Sequence, residues 1–132
     1  MRKKIYYHHT DCGGVVYYAR YLDFLEESRT ELFETNGILL NELAKKEILF
    51  VISRQEIDYK NPAFYADVLD VSSCITSIGS VRIEFEHEIK NQAGIIIAKA
   101  RTIMVCVNTK IKPQAIPQYI KDVLLKLSGK WY

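Results

Sequence analysis

The sequence predicts an α+β fold in which one long helix packs against a curved antiparallel sheet of about five strands. An amphipathic segment over residues 17–36 has the period of a helix. Four later segments are rich in β-branched and aromatic residues and are separated by short breaks. Short connections require antiparallel neighbours. A sheet that covers one helix on a single face is a stable two-layer arrangement.

The N-terminal third contains the opening strand and the long helix. Residues 2–9 are rich in Ile and Tyr and predict a short strand. Residues 10–16 include two adjacent glycines and predict a loop. The helix is expected over residues 17–36, because Asn36-Gly37 is a typical helix end. Its expected apolar face consists of Tyr18, Tyr21, Leu22, Leu25, Leu32 and Phe33.

Arg29 interrupts this apolar face. The reading we favour is that its stem lies along the face with the charge in water, or that it pairs with Glu26 one turn earlier. The alternatives are a buried ion pair and a contact across a subunit interface.

The remainder of the chain predicts strands followed by a last helix. A short second helix is expected over residues 39–46 and a C-terminal amphipathic helix over residues 118–127. Residues 81–90 alternate most regularly, which is typical of a strand with one buried face. The strands are expected as a four-stranded meander over residues 48–59, 68–78, 81–90 and 95–107.

Length and composition limit the class of protein. The 132 residues suffice for one domain, and 48% hydrophobic and 26% charged residues are ordinary for a globular chain. A net charge of +2 does not indicate a nucleic-acid partner. No apolar run approaches the ~20 residues of a membrane-spanning helix, and no signal-peptide pattern is present. Three cysteines without CxxC spacing lead us to expect a cytoplasmic protein with reduced thiols.

Two segments carry a family resemblance. Residues 7–21 (YHHTDCGGVVYYARY) contain an Asp, a Gly three positions later, a Val pair and aromatic residues before the helix. Residues 57–67 (IDYKNPAFYAD) contain Tyr, Pro-Ala and Asp between two strands. Together they resemble the 4-hydroxybenzoyl-CoA thioesterase family, and most closely its branch of short-chain acyl-CoA thioesterases linked with the Tol-Pal envelope system.

The resemblance covers nearly the whole chain and implies a single hotdog thioesterase domain over residues 1–132. It implies hydrolysis of a small acyl-CoA thioester, with a short-chain or an aromatic acyl group. One position departs from the Tol-Pal branch, which has His seven residues after the Asp, where this chain has Tyr18. A mechanism that needs an imidazole at that position is therefore not expected.

The resemblance also implies the roles of the site residues. Asp11 would be the catalytic carboxylate, either as general base for water or as nucleophile. Without the surrounding motif, an Asp at this position would be interpreted as a turn or N-cap residue. The Tyr18 N–H, near the helix start, would polarise the thioester carbonyl, and Gly14 would let the loop pack closely. Substrate contacts are expected from Tyr7, Val16, Tyr17 and Tyr21. Contacts to the CoA phosphates are expected among Lys60, Arg82, Lys99 and Arg101.

Other chemistries are less favoured. Cys12 could be a nucleophile with His8 or His9 as base, but adjacent residues of an extended chain point apart, and we expect a small buried Cys. The spacing of these residues fits no zinc site, so neither a metal nor a cofactor is expected. His87 is expected to be a core or interface histidine with satisfied hydrogen bonds.

Partners follow from the same resemblance. Hotdog protomers pair edge to edge, so we expect a homo-oligomer, a dimer or tetramer, with each site built from two chains. Acyl carrier protein is a further candidate partner, whereas nucleic acid and membrane insertion are not expected. The alternative functions are a hotdog dehydratase acting on acyl carrier protein, which needs a His base, and a non-catalytic acyl- or CoA-binding module.

Overall fold

The computed structural model describes all residues from 1 to 132. A short 3₁₀ helix follows the first strand, and the last helix is followed by a five-residue tail. The strands and helices, in chain order, are β1 (Arg2–Lys4), α1 (Arg20–Thr35), α2 (Leu40–Lys45), β2 (Leu49–Tyr59), β3 (Val68–Ile78), β4 (Arg82–Lys90), β5 (Ile96–Val107) and α3 (Gln118–Leu127).

The five strands form one antiparallel sheet in the order β1-β3-β4-β5-β2. The predicted α+β class and the five-stranded antiparallel sheet are confirmed. The prediction of a four-stranded meander was wrong, because β2 pairs with β5 and has no contact with β3 in the sheet. Residues 60–67 are too many for a tight hairpin, and they run along the segment before α1 instead, where the Ala63 carbonyl accepts the Val16 N–H. As a result β2 lies at an edge of the sheet.

Helix α1 covers one face of the sheet. Residues such as Phe85 and Ile89 of β4 are buried against it, while their neighbours on the opposite face remain exposed or half-buried. The core consists of two clusters. One lies at the C-terminal end of α1 and includes α2 and α3, and the other lies at its N-terminal end, directly beneath the loop that carries Asp11.

The chain before α1 differs from the prediction. The opening strand ends at Lys4, because residues Tyr7–His9 form a 3₁₀ turn in which His9 Nδ1 accepts the Tyr6 N–H at 2.9 Å. Helix α1 begins at Arg20 rather than at residue 17. The Tyr17 N–H donates to the His9 carbonyl at 2.9 Å, which ties Tyr17 to the N-terminal turn and keeps it out of the helix.

Two residues of the predicted apolar face, Tyr18 and Leu22, are exposed. The favoured reading of Arg29 was also wrong. Arg29 is only 5% exposed, and no carboxylate lies within 4 Å of it. Its Nη1 donates to Thr102 Oγ1 at 3.3 Å, across the space between α1 and the sheet. Burial lowers the pKa of Arg29 to about 10, against a smaller opposing effect of Glu26.

A second buried polar group lies beside Arg29. Ser28 Oγ and Ser73 Oγ are 2.8 Å apart, and Ser73 Oγ is 2.9 Å from His87 Nδ1. His87 is a core residue, as expected, but its Nε2 has no hydrogen-bond partner, so the expectation of full satisfaction was wrong. Burial, with the charge of Arg29, lowers the pKa of His87 to about 3, and the ring is therefore neutral.

Candidate active site

Asp11 lies in a tight loop between the 3₁₀ turn and α1. The Asp11 N–H donates to the Val15 carbonyl, and the Gly14 N–H donates to the Asp11 carbonyl, both at 3.0 Å. Gly14 has φ +78°, a conformation that strains any L side chain. A Cβ at Gly14 would meet no atom of the chain within 4 Å, so within the chain it is the turn that requires glycine at this position.

The Asp11 carboxylate is exposed and held on one side only. Its Oδ1 accepts the Gly13 N–H at 2.8 Å, and Oδ2 receives no hydrogen bond from the chain. No cation of the chain pairs with it within 4 Å. A Cβ on Gly13 would stand 3.1 Å from Oδ1, so this glycine makes room for the carboxylate. Asp11 is thus fixed in direction, and one oxygen is free for chemistry.

The second sequence segment lies directly against the first. The Val16 N–H donates to the Ala63 carbonyl at 2.8 Å, and Val15 forms an antiparallel bridge with Phe64. The connection between β2 and β3 therefore packs against the Asp11 loop and supports it. The two segments, more than thirty residues apart in the sequence, form one surface.

Tyr18 presents a free backbone donor next to this loop. Its N–H donates no hydrogen bond within the chain, while its carbonyl accepts the Tyr59 hydroxyl at 3.1 Å. Tyr18 lies one residue before the N-cap Ala19, so the donor belongs to the turn that leads into α1 and not to the first turn of the helix itself. Tyr59 had no role assigned from the sequence, and its place in the second segment was the only indication of one.

The four expected substrate residues divide into two pairs. Tyr7 and Tyr17 are exposed at the surface around Asp11. Val16 and Tyr21 are 4% and 3% exposed and belong to the core cluster beneath the loop, where they support the site from below. Burial raises the pKa of Tyr21 to about 12, so its hydroxyl stays protonated.

The expected phosphate-binding cations differ in their surroundings. Arg82 and Arg101 pair with Glu84 on the outer face of the sheet, and Lys99 lies 3.9 Å from Glu88. Lys60 is exposed, follows β2 and has no carboxylate within 4 Å. Among these cations, Lys60 is the one without an acidic partner.

The other reactive side chains near Asp11 do not form a catalytic pair. Cys12 is exposed, so the expected buried cysteine was wrong. His9 is buried with Nδ1 occupied by the Tyr6 N–H, and burial lowers its pKa. His, Cys, Asp and Glu side chains nowhere gather in a group of three that could hold a metal ion. None of the helices has the length and hydropathy needed to cross a membrane.

An apolar cavity of about 230 Å³ lies between α1 and β2, away from Asp11 in the same chain. Phe33 and Met104 form part of its wall, and Arg29 is its cationic side chain. Leu49 and Ile52 of β2 border it, so it lies beside the edge of the sheet.

The chain is similar to known proteins in sequence and in fold. Residues 7–124 match the thioesterase-like superfamily. The acyl-CoA thioester hydrolase YbgC of Escherichia coli O157:H7 is 34% identical over 118 residues, which are 89% of this chain and 88% of that protein. The acyl-CoA thioesterase YbgC of Haemophilus influenzae is 36% identical over 120 residues, with the same coverage. A 1,4-dihydroxy-2-naphthoyl-CoA thioesterase from Synechocystis has the same fold, with a TM-score of 0.89, 24% identity and coverage of 96% and 95% of the two chains.

Proposed function

Because the chain belongs to the thioesterase-like superfamily and is an acyl-CoA thioesterase with the hotdog fold, we propose that Asp11 and the Tyr18 N–H hydrolyse a small acyl-CoA thioester. The observation that carries this proposal is that the segment before α1 presents both a carboxylate with one free oxygen and a backbone N–H without an acceptor. The first can supply or activate a nucleophile, and the second can hold the developing oxyanion.

Asp11 can act in two ways. As a general base it takes a proton from water, whose oxygen attacks the thioester carbon; the oxyanion then collapses and expels the CoA thiolate, which takes up the proton. As a nucleophile it attacks the thioester itself, releases CoA and forms a mixed anhydride that water hydrolyses. In both routes the Tyr18 N–H faces the oxyanion, and a single donor of this kind contributes about 10²–10³ in rate.

The acyl group is small, and both short-chain and aromatic groups fit the proposal. The YbgC relatives are named as acyl-CoA hydrolases, and the Synechocystis neighbour acts on an aromatic acyl-CoA. We propose the apolar cavity between α1 and β2 as the acyl pocket, because its aromatic and aliphatic walls suit either group. Asp11 of the same chain does not line this cavity, so the proposal combines the cavity with the Asp11 loop of a second subunit.

We propose a homo-oligomer, a dimer or a tetramer, that pairs through β2. The outer edge of this strand has eleven residues without a partner strand, and such edges pair readily. Antiparallel pairing of two copies about a twofold axis brings the Tyr59 end of one β2 to the Leu49 end of the other. The cavity of one copy then lies on the side of the partner's Asp11 loop, so that each site is built from two chains.

A thiol-release assay on short-chain and aromatic acyl-CoA substrates tests the proposal with the Asp11→Asn variant. The amide oxygen of Asn can still accept the Gly13 N–H, so the loop is retained while the base or nucleophile is lost. We expect kcat to fall by about 10²–10⁴. Asp70→Asn, at an exposed carboxylate of β3, is the matched control and should keep the wild-type rate. Full activity of Asp11→Asn would remove Asp11 from the mechanism.

A further inference from the structure

The end of the molecule that carries Asp11 exposes aromatic rings that the proposed hydrolysis does not use. Tyr7 is 72% exposed, and Tyr65 is 46% exposed. The rings of Tyr7 and Tyr65 stack on each other, with centroids 3.8 Å apart and planes 6° from parallel. Exposed aromatic surface next to a reactive group commonly marks a binding site.

The stack is anchored from both sides. The Tyr7 carbonyl accepts the Thr10 hydroxyl at 2.7 Å, which holds Tyr7 in the 3₁₀ turn. Tyr65 precedes Ala66, whose N–H donates to the Ile5 carbonyl at 2.9 Å. Two separate segments therefore present the two rings in a fixed arrangement, and little conformational entropy is lost when a ligand binds to them.

One face of the Tyr7 ring remains open. Tyr65 covers the other face, so the large exposure of Tyr7 comes from the free face and the ring edges. A flat apolar surface of this kind suits a flat aromatic ligand, and nucleobases stack on tyrosine without any need for specific hydrogen bonds. Every acyl-CoA substrate, whatever its acyl group, carries such a group in the adenine ring of its nucleotide.

We propose that Tyr7, backed by Tyr65, stacks on the adenine ring of CoA. This rests on the proposed function, and it adds the recognition of the nucleotide to that of the thioester. Tyr7 and Asp11 are four residues apart and at most ~14 Å from each other along an extended chain, a separation that the pantetheine arm and pyrophosphate can bridge. Lys60, at the start of the loop that carries Tyr65, has no acidic partner and supplies a cation for a CoA phosphate.

Paired substrates test the adenine site. The same acyl group is offered on CoA and on pantetheine, which lacks the nucleotide. Loss of the ring in Tyr7→Leu should lower kcat/KM for acyl-CoA about tenfold relative to acyl-pantetheine, mainly through KM. Tyr7→Phe keeps the ring and should keep the wild-type ratio. Tyr119→Leu removes another exposed tyrosine, from α3, and is the matched control.

A binding measurement separates this proposal from the hydrolytic one. Isothermal titration of CoA without an acyl group needs no turnover, and Tyr7→Leu should weaken binding about tenfold relative to wild type and Tyr119→Leu. That result supports the adenine site even if wild type hydrolyses no thioester, an outcome that would reject only the proposed reaction.

Two results would overturn the adenine site. The first is an unchanged affinity for CoA in Tyr7→Leu. The second is an equal loss on acyl-CoA and acyl-pantetheine, accompanied by a change of molar mass in light scattering, which would assign the Tyr7–Tyr65 stack to a contact between subunits.

Discussion

At the scale of single residues, the two adjacent glycines of the Asp11 loop have different tasks. Gly14 adopts φ +78°, which only glycine adopts without strain, whereas the missing side chain of Gly13 leaves space for Asp11 Oδ1. The sequence shows the pair but does not distinguish its members. The distinction depends on backbone angles and on one distance, and both are set by the folded loop.

Alanine at each glycine separates the two tasks. Gly14→Ala should lower the free energy of unfolding by about 1–2 kcal/mol, because the methyl group strains the left-handed conformation. Gly13→Ala should cost less stability but reduce kcat by about tenfold, because the added Cβ displaces the carboxylate, and small displacements of reacting groups are costly. Urea unfolding and the thiol-release assay measure the two effects. The assignment is wrong if Gly13→Ala keeps full activity.

At the scale of elements, α1 and the sheet are joined by a buried polar row as well as by apolar side chains. Ser28 of α1 contacts Ser73 of β3, which contacts His87 of β4. Arg29 of α1 contacts Thr102 of β5 nearby. These contacts fix the rotation and the height of the helix on the sheet, which a purely apolar interface specifies less strictly. They also make stability depend on pH.

The native pKa of His87, about 3, lies below the value of about 6.5 expected in the unfolded chain. The unfolded state therefore binds the proton first as pH falls. The stability contribution of neutral His87 is fully present above pH 6.5 and is lost as pH falls from there towards 3. Between pH 7 and pH 5, wild type should lose about 2 kcal/mol more than His87→Gln, whose side chain does not titrate.

Urea unfolding at the two pH values measures this difference. His8→Gln, which replaces an exposed histidine, is the matched control. If His87→Gln and wild type lose the same amount of stability between the two pH values, burial does not lower the pKa of His87.

At the scale of the whole molecule, the proposed two-chain site depends on the edge position of β2. Asp11 lies at one end of the fold. The apolar cavity beside Ile52 lies along α1, away from Asp11. The proposed pairing of two β2 strands joins these features across a twofold axis. On this proposal, a monomer contains Asp11 but lacks the proposed acyl pocket next to it.

A charge at the β2 edge tests this arrangement. Ile52 is 45% exposed, and Ile52→Lys should oppose pairing, because the ammonium would be buried without a partner. Light scattering should then give the 15.3 kDa monomer, and kcat should fall with the loss of the assembly. Leu125→Lys, on the exposed side of α3, should change neither. A fully active monomer would contradict the two-chain site.

The sequence alone predicted much of this protein. The hydrophobic periodicity predicted the fold class, and it predicted the long helix and four of the strands to within a few residues. It does so because a helix or strand with one buried face carries apolar residues at the spacing of that element. The segment around Asp11 indicated a thioesterase, because the family resemblance depends on residue types at fixed spacing. These features are local, and local patterns can be read without the fold.

Only the tertiary structure decided the rest. The pairing of β2 with β5, the burial of Arg29 against Thr102, and the stack of Tyr7 on Tyr65 join residues distant in the chain. The free N–H of Tyr18 likewise depends on the folded turn, in which a hydrogen bond to His9 holds Tyr17 outside the helix. Such contacts are selected by the shape and packing of the whole core. The periodicity of the sequence does not indicate which distant residue becomes the partner.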